Sequence, residues 1–498
     1  MSLFRKKSLA ALMKQVGDKE SGLKRTLGPG SLIALGIGAI IGAGLFVRTA
    51  DAAGTVAGPA VIMSFVVAAI GCLFAGLCYA EFAAMIPISG SAYAYAYVTM
   101  GELVAWVIGW ALVLEYALGA ATVSIAWSEY LNKLLDGSIP YQWCHSPWDD
   151  VGPGGVTGLC NVPAVFILAL LTAILIKGTK ESAFVNSIIV FVKVGIVLIF
   201  IAVGWQYVNP ANHTPYFIPA DALTTAQLKA KALGEALPEG TRGFLEWGWG
   251  GVLRGASIVF FAFIGFDAVS TAAQEAKKPE RDMPIGILGS LAICTVLYIL
   301  FGHVLTGVTN WQTFVTTGKE ASVAYAIQNH MPGYGWLATA VTVAILAGFS
   351  SVILVMLLGQ SRVFYSMAND GLLPKIFSDL HPRFRTPHKS NMLLFVLVGL
   401  FAAFVPGKVA GDLTSFGTLL AFVLVSAGIW IMRKTNPETR RPFRTPLVPL
   451  VPLLGILVCG LMLVAIDGHT QLVAVGWMAF GLLIYFGYSR SHSKHQAG

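Results

Sequence analysis

The sequence predicts an all-α polytopic membrane protein, and three observations carry that expectation. Of its 498 residues, 56% are hydrophobic and only 12% charged, about half the charged share of a soluble globular chain. Apolar runs of roughly 20 residues, the length that crosses a bilayer core, recur from residue 29 to residue 490. Lysine and arginine gather in alternate connections between those runs, the asymmetry that orients membrane helices.

Twelve spans are expected, at about 29–52, 58–86, 96–125, 162–178, 184–207, 252–276, 284–308, 336–368, 392–408, 414–433, 446–466 and 470–490. The first contains Gly42-Ala-Gly44 and the sixth Phe260-Phe-Ala-Phe-Ile-Gly-Phe-Asp267, each reading as a helix broken midway. Broken backbone in lipid leaves polar groups unpaired and is tolerated only where it lines a cavity or binds something. A matched pair of breaks, one per half of the chain, is the sequence signal of a secondary transporter's substrate site. Five spans per half invert the second half relative to the first. The expected divisions are a tail at 1–28, a first repeat at 29–207, an extracellular loop at 208–251, a second repeat at 252–433, two peripheral spans in 434–490 and a tail at 491–498.

The connections follow from charge and polarity. Most of the 33 lysines and arginines fall on one side, among them Arg5, Lys6, Lys7, Lys277, Lys278, Arg281, Arg383, Arg385, Lys389 and the run Arg433 to Arg444. That places both termini in the cytoplasm and makes the net charge of +8 a matter of topology rather than of nucleic-acid binding. The polar, basic stretch 1–28 does not read as a cleavable signal peptide. Its Leu3, Phe4, Leu9, Leu12 and Met13, set among lysines, fit an amphipathic helix on the membrane surface. In the loop at 208–251, Asp221 to Leu237 reads as a helix with Asp221 as N-cap, either an outer cap or a solvated linker; the linker is favoured. Of six cysteines, Cys144 and Cys160 share the outer loop after the third span, as a candidate disulfide or as two free thiols.

Five intramembrane features carry the chemistry. Gly42, Ala43 and Gly44 leave amides free at the start of a half-helix, whose positive dipole end suits a carboxylate, or else they permit close helix packing. The second break offers carbonyls for an ammonium, so the two together suit a zwitterion. Lys193 sits alone among the apolar residues of the fifth span. Burial there disfavours its ammonium form and would let it take and release a proton; the alternative is a permanent strut to the broken helix. Glu115 could reach a basic substrate side chain, join a proton path or bind neighbouring helices. Asp267 could receive the proton or brace the unwound segment. Glu81 and Glu275 lie toward the cytoplasm with Arg281 and Arg362 as candidate partners, for gating or loop fixation. Tyr93, Tyr95 and Tyr97 read as packing residues.

The chain resembles the amino acid–polyamine–organocation superfamily, most of all the cationic amino acid transporter group and its bacterial relatives. The resemblance rests on Ala34-Leu-Gly-Ile-Gly-Ala-Ile-Ile-Gly-Ala-Gly-Leu-Phe-Val47, Glu81-Phe-Ala-Ala-Met-Ile-Pro-Ile-Ser-Gly-Ser-Ala-Tyr-Ala-Tyr95 and Phe263-Ile-Gly-Phe-Asp267. Further matches are Glu275-Ala-Lys-Lys-Pro-Glu-Arg-Asp-Met-Pro284, Arg362 to Pro374 and Arg441-Pro-Phe-Arg-Thr-Pro446. It implies the LeuT-type fold and proton-coupled or exchange transport of amino acids across the cytoplasmic membrane. It also implies a carboxylate site on the amides of Gly42, Ala43 and Gly44, and an ammonium site on the carbonyls of Ile40, Phe261 and Ile264. Phe261, which matches a tryptophan in some relatives, would close over the substrate but offers less surface to a guanidinium. Phe263, Ser350, Ser351 and Val352 would set side-chain selectivity. In proton-coupled relatives a lysine on the fifth helix stands where sodium sits in sodium-coupled ones, so Lys193 implies a proton as coupling ion and no sodium. Expected partners are the amino-acid substrate and the lipid bilayer, with a small single-span membrane subunit as a further candidate. No enzyme motif, metal-ligand spacing or cofactor motif is found.

Overall fold

The computed structural model describes residues 5–7, 26–87, 91–149, 151–177, 183–219, 221–233, 238, 245–316, 322–384 and 386–494. The expected surface helix at Leu3 to Met13 and the residue Arg385 fall outside these. No strand forms among the described residues; one isolated bridge pairs Leu27 with Ala276.

The helices, in chain order, are α1 (Pro29–Ile40), α2 (44–57), α3 (Val61–Met85), α4 (Ser91–Thr99), α5 (Glu102–Leu134), α6 (Val162–Lys177), α7 (Ala183–Gly204), α8 (Thr225–Leu233) and α9 (Gly248–Val259). They continue as α10 (Pro279–Val308), α11 (Ser322–His330), α12 (Gly335–Asn369), α13 (His388–Phe404), α14 (Gly407–Thr435), α15 (Leu450–Val464) and α16 (Gly468–Ile484). Among the described residues, eight helical stretches are long and apolar enough to cross a membrane; α1, α6, α13 and α15 are shorter apolar helices.

Small residues let the central helices approach closely, which is how helices associate where no hydrophobic driving force separates them from lipid. Gly36 of α1 lies against Ser290 of α10, Gly286 of α10 against Leu32, and Gly255 of α9 against Ser64 of α3. The core gathers where α3, α10, α1 and α9 meet. Long apolar side chains face outward on α15 and α16, including Leu457, Val464, Leu472 and Leu483.

Three expectations are corrected. The third span does not begin at 96: Gly101, at φ +99°, separates α4 from α5, which starts at Glu102. The helix in the outer loop starts later than Asp221. Thr224 caps it, its hydroxyl accepting from Gln227 N at 3.2 Å while the Gln227 amide oxygen accepts from Thr224 N at 3.0 Å. Nor do the described residues of this loop form a solvated linker. Trp247 is buried, its indole donates to Leu223 O at 3.1 Å, its amide donates to Val56 O at 3.0 Å, and Thr225 Oγ1 donates to Thr55 O at 2.8 Å. The loop is therefore a cap tied to the end of α2.

Candidate functional site

The first break forms because α1 stops at Ile40 and Ile41 turns extended, with ψ 107°. Helix resumes at Gly44, and the Gly42 carbonyl accepts from Leu45 N and Phe46 N at 3.1 and 3.4 Å. The amides of Gly42, Ala43 and Gly44 thus open a helix and have no carbonyl four residues back to reach. The second break follows α9: a tight turn at Phe260–Phe263, Ile264 extended at ψ 135°, and Gly265 at φ +113°, a region that favours glycine. A second tight segment, Asp267–Glu275, continues from there.

The two breaks lie against each other. A side chain at Gly44 would collide with the backbone of Ala262, and one at Gly265 would sit 2.9 Å from the Ala39 carbonyl carbon. The Tyr298 hydroxyl of α10 lies 3.1 Å from Ile40 O and 2.9 Å from Ala262 O, sharing one proton between carbonyls of both breaks. Sequence reasoning missed Tyr298, whose hydroxyl donates to one of the carbonyls, Ile40 O, expected to face an ammonium. The Phe261 carbonyl accepts from Ile264 N at 3.3 Å.

The selectivity residues separate. Val352 of α12 faces Gly42, with a methyl 3.3 Å from where a Cβ would stand. The Phe261 ring is buried. Phe263 turns instead into the scaffold, its ring centroid 6.3 Å from Phe65 and 5.2 Å from Tyr298. Ser350 donates to its own helix at Leu346 O, 2.9 Å away. Val352 and the buried Phe261 thus bring apolar side chains to segments whose polar groups are backbone.

Lys193 of α7 is buried and donates from Nζ to Gly38 O at 2.8 Å, just before the first break. Gly348 of α12 makes room for its stem, because a Cβ there would lie 2.8 Å from Lys193 Cε. Glu115 and Asp267, far apart in sequence, stand together. A π-turn at Leu114–Leu118 turns Glu115 into the bundle, where its carboxyl faces Asp267. Tyr116 donates to Asp267 Oδ2 at 3.0 Å.

Charges seal both ends. Glu81 pairs not with Arg281 or Arg362 but with Arg433, through two bonds of 2.9 Å, and with Arg441 at 3.2 Å; it also accepts from Thr445 N at 2.7 Å. Glu275 does approach Arg362, at 3.9 Å. Beyond the breaks, buried Asp412 of α14 bridges Arg48 of α2 and Arg254 of α9, the latter at 3.0 Å. That cluster was not anticipated, since its members are scattered near span ends. Tyr93 donates to Asp370 and Tyr97 to Glu102, each at 2.9 Å, while Tyr95 stacks on Phe82. Cys144 and Cys160 are free thiols rather than a disulfide. Cys144 is buried with Sγ turned to His145 Nδ1 at 3.4 Å and to the Asn132 amide at 3.7 Å.

A family model described as amino acid permease matches residues 27–487. The branched-chain amino acid permease BcaP of Bacillus subtilis (strain 168) is 42% identical over 497 residues, 99% of each chain. A methylthioribose transporter of the same organism is 40% identical over 494 residues, again 99% of each. Human cationic amino acid transporter 4 is 34% identical over 426 residues, 84% of this chain and 62% of its own length. This chain is a multi-pass membrane protein and belongs to the amino acid permease family of the amino acid–polyamine–organocation superfamily.

Proposed function

We propose that the protein imports L-amino acids across the cytoplasmic membrane by proton symport, through alternating access in a twelve-span, LeuT-type fold with both termini cytoplasmic. The observation that carries this reading is the pair of abutting breaks. One end offers the amides of Gly42, Ala43 and Gly44 to a carboxylate, and the other offers carbonyls at Phe261 and Ile264 to an ammonium. Phe261 and Val352 supply an apolar wall, and the Glu115 carboxyl is turned to Asp267. Neutral, apolar side chains therefore fit better than a guanidinium, in keeping with the name of the Bacillus subtilis branched-chain permease.

Lys193 is the coupling residue in this reading, and no sodium is needed. A charged Lys193 holds the Gly38 carbonyl firmly; once deprotonated it holds it less, and α1 is freed to move. A second reading, obligate amino-acid exchange, is favoured by the same 2.8 Å bond if Lys193 stays charged as a fixed strut.

Uptake of a labelled amino-acid panel into proteoliposomes, with and without an inward proton gradient, separates the two. Symport requires gradient-driven accumulation that Lys193→Ala loses. Uptake only into vesicles preloaded with amino acid would make the protein an exchanger.

A further inference from the structure

Two histidines distant in sequence meet at the C-terminal end of α10. His303 lies on α10 itself, and His213 ends the short turn Pro210–His213 that follows α7. Both are half-buried, and their ring centroids are 4.7 Å apart with planes inclined at 39°. The turn is docked rather than loose. Asn209 N and Asn212 Nδ2 donate to Gly307 O at 3.0 and 2.7 Å. Gly307 also makes room, since a Cβ there would lie 3.2 Å from His213 Cε1. The His303 ring lies against Trp205, with centroids 5.1 Å apart. Each imidazole is thus held by its own contacts on ordered backbone, the condition for a preorganised pair of ligands.

The hydrogen bonds leave nitrogen lone pairs free. The Thr306 hydroxyl donates to Gly302 O at 2.8 Å, so toward His213 its oxygen accepts, from Nε2 at 3.1 Å. That puts the proton on Nε2 and leaves the Nδ1 lone pair unused. Among the described residues no hydrogen bond takes up the ring nitrogens of His303, and no charged side chain faces either ring. Burial and the facing His303 hold the His213 imidazole below its ordinary pKa, so it is neutral, the form that binds metal. Packing alone does not call for two imidazoles with unshared lone pairs side by side, because a pair of apolar aromatic rings would fill the same space.

An imidazole bound through nitrogen at about 2.0–2.1 Å has its ring centroid about 3.2 Å from the metal. Two rings 4.7 Å apart then subtend close to a right angle at one ion, the cis angle of a tetragonal or octahedral shell. We propose that His213 and His303 form a two-imidazole site for a divalent transition-metal ion of the Cu²⁺, Ni²⁺ or Zn²⁺ class, which ties the turn after α7 to α10. No group of three metal-ligating side chains occurs among the described residues, so water completes the shell. Imidazole suits these three ions, and Cu²⁺ binds tightest of them. Mg²⁺ and Ca²⁺, which take oxygen ligands, are refused. The site is separate from the two breaks and independent of how transport is driven.

The test titrates the full-length protein in detergent, with no added histidines, with Cu²⁺, Ni²⁺, Zn²⁺ and Mg²⁺ by calorimetry. The variants are His213→Gln, His303→Phe and, as a control on α11, His330→Ala. His213→Gln keeps a donor for Thr306 and His303→Phe keeps a ring against Trp205, so both fold, which melting temperature without metal checks. The wild type should bind one Cu²⁺ more tightly than Ni²⁺ or Zn²⁺ and bind no Mg²⁺. His213→Gln and His303→Phe should each weaken Cu²⁺ binding by about 10–100-fold, and His330→Ala should not. Electron paramagnetic resonance of the Cu²⁺ form should show two nitrogen ligands in the wild type and fewer in either pair variant. Cu²⁺ should also raise the melting temperature of the wild type more than that of the pair variants. Equal affinity in the wild type and both pair variants, or a Cu²⁺ spectrum that they leave unchanged, overturns the site. So does a loss of binding confined to His330→Ala. A melting temperature that Cu²⁺ raises equally in all four proteins overturns the tie between the turn and α10.

Discussion

At the scale of the residue, glycine decides where backbone may come close. Gly44 has no room for a side chain because the Ala262 backbone of the other break occupies the space. Gly44→Ala should therefore abolish amino-acid uptake while leaving most of the bundle folded. Substrate binding by the purified variant checks it, and wild-type affinity would remove the amides of Gly42, Ala43 and Gly44 from the site. Gly42 differs, since its neighbour is the Val352 side chain, which can rotate. Gly42→Ala should accordingly weaken uptake far less than Gly44→Ala, by comparison of initial rates. The motif Gly42-Ala-Gly44 was legible in the sequence as a break. Which glycine is sterically essential was not, because the neighbour comes from more than 200 positions away.

At the scale of the element, irregular turns place the polar groups. The π-turn in α5 rotates Glu115 inward, and the glycine at 265 lets the second break reverse direction. The apolar runs of these helices are visible in the sequence, yet no residue in Leu114 to Leu118 announces a π-turn, which arises from packing against α14. The C-terminal end of α3 shows the same limit. Glu81 could be recognised as a buried carboxylate in need of cations, but its partners lie more than 350 residues later, Arg433 in the last turn of α14 and Arg441 in the connection after it. Removing Glu81 takes the carboxylate from Arg433 and Arg441 and leaves their guanidinium groups only backbone carbonyls to bond, at a cost of about 1–3 kcal/mol. Glu81→Ala should therefore lower the melting temperature in detergent markedly. An unchanged value would show that the connection after α14 is held by the Arg441 bonds to the carbonyls of Met432, Asn436, Pro437 and Thr439 alone.

At the scale of the molecule, two polar loops are tied to the helix bundle. The loop after α7 is tied to α2 through Trp247 and Thr225, and the loop after α5 buries Cys144. Six free thiols, Cys144 and Cys160 among them, should be counted by mass spectrometry of protein alkylated unreduced in denaturant. In the folded state Cys160 should label faster than Cys144, because only Cys144 is buried. A single intact disulfide would overturn both statements. The sequence by itself determined the membrane-spanning helical class, the two breaks and the polar residues that cannot lie in lipid without a partner. Those are consequences of local composition: run length, glycine content and the cost of a charge among apolar neighbours. Only the tertiary structure decided the pairings: Tyr298 across both breaks, Lys193 on Gly38, Glu115 on Asp267 and Asp412 between two arginines. Each joins residues distant along the chain, and such partners are chosen by which helix faces meet rather than by any pattern a single segment carries.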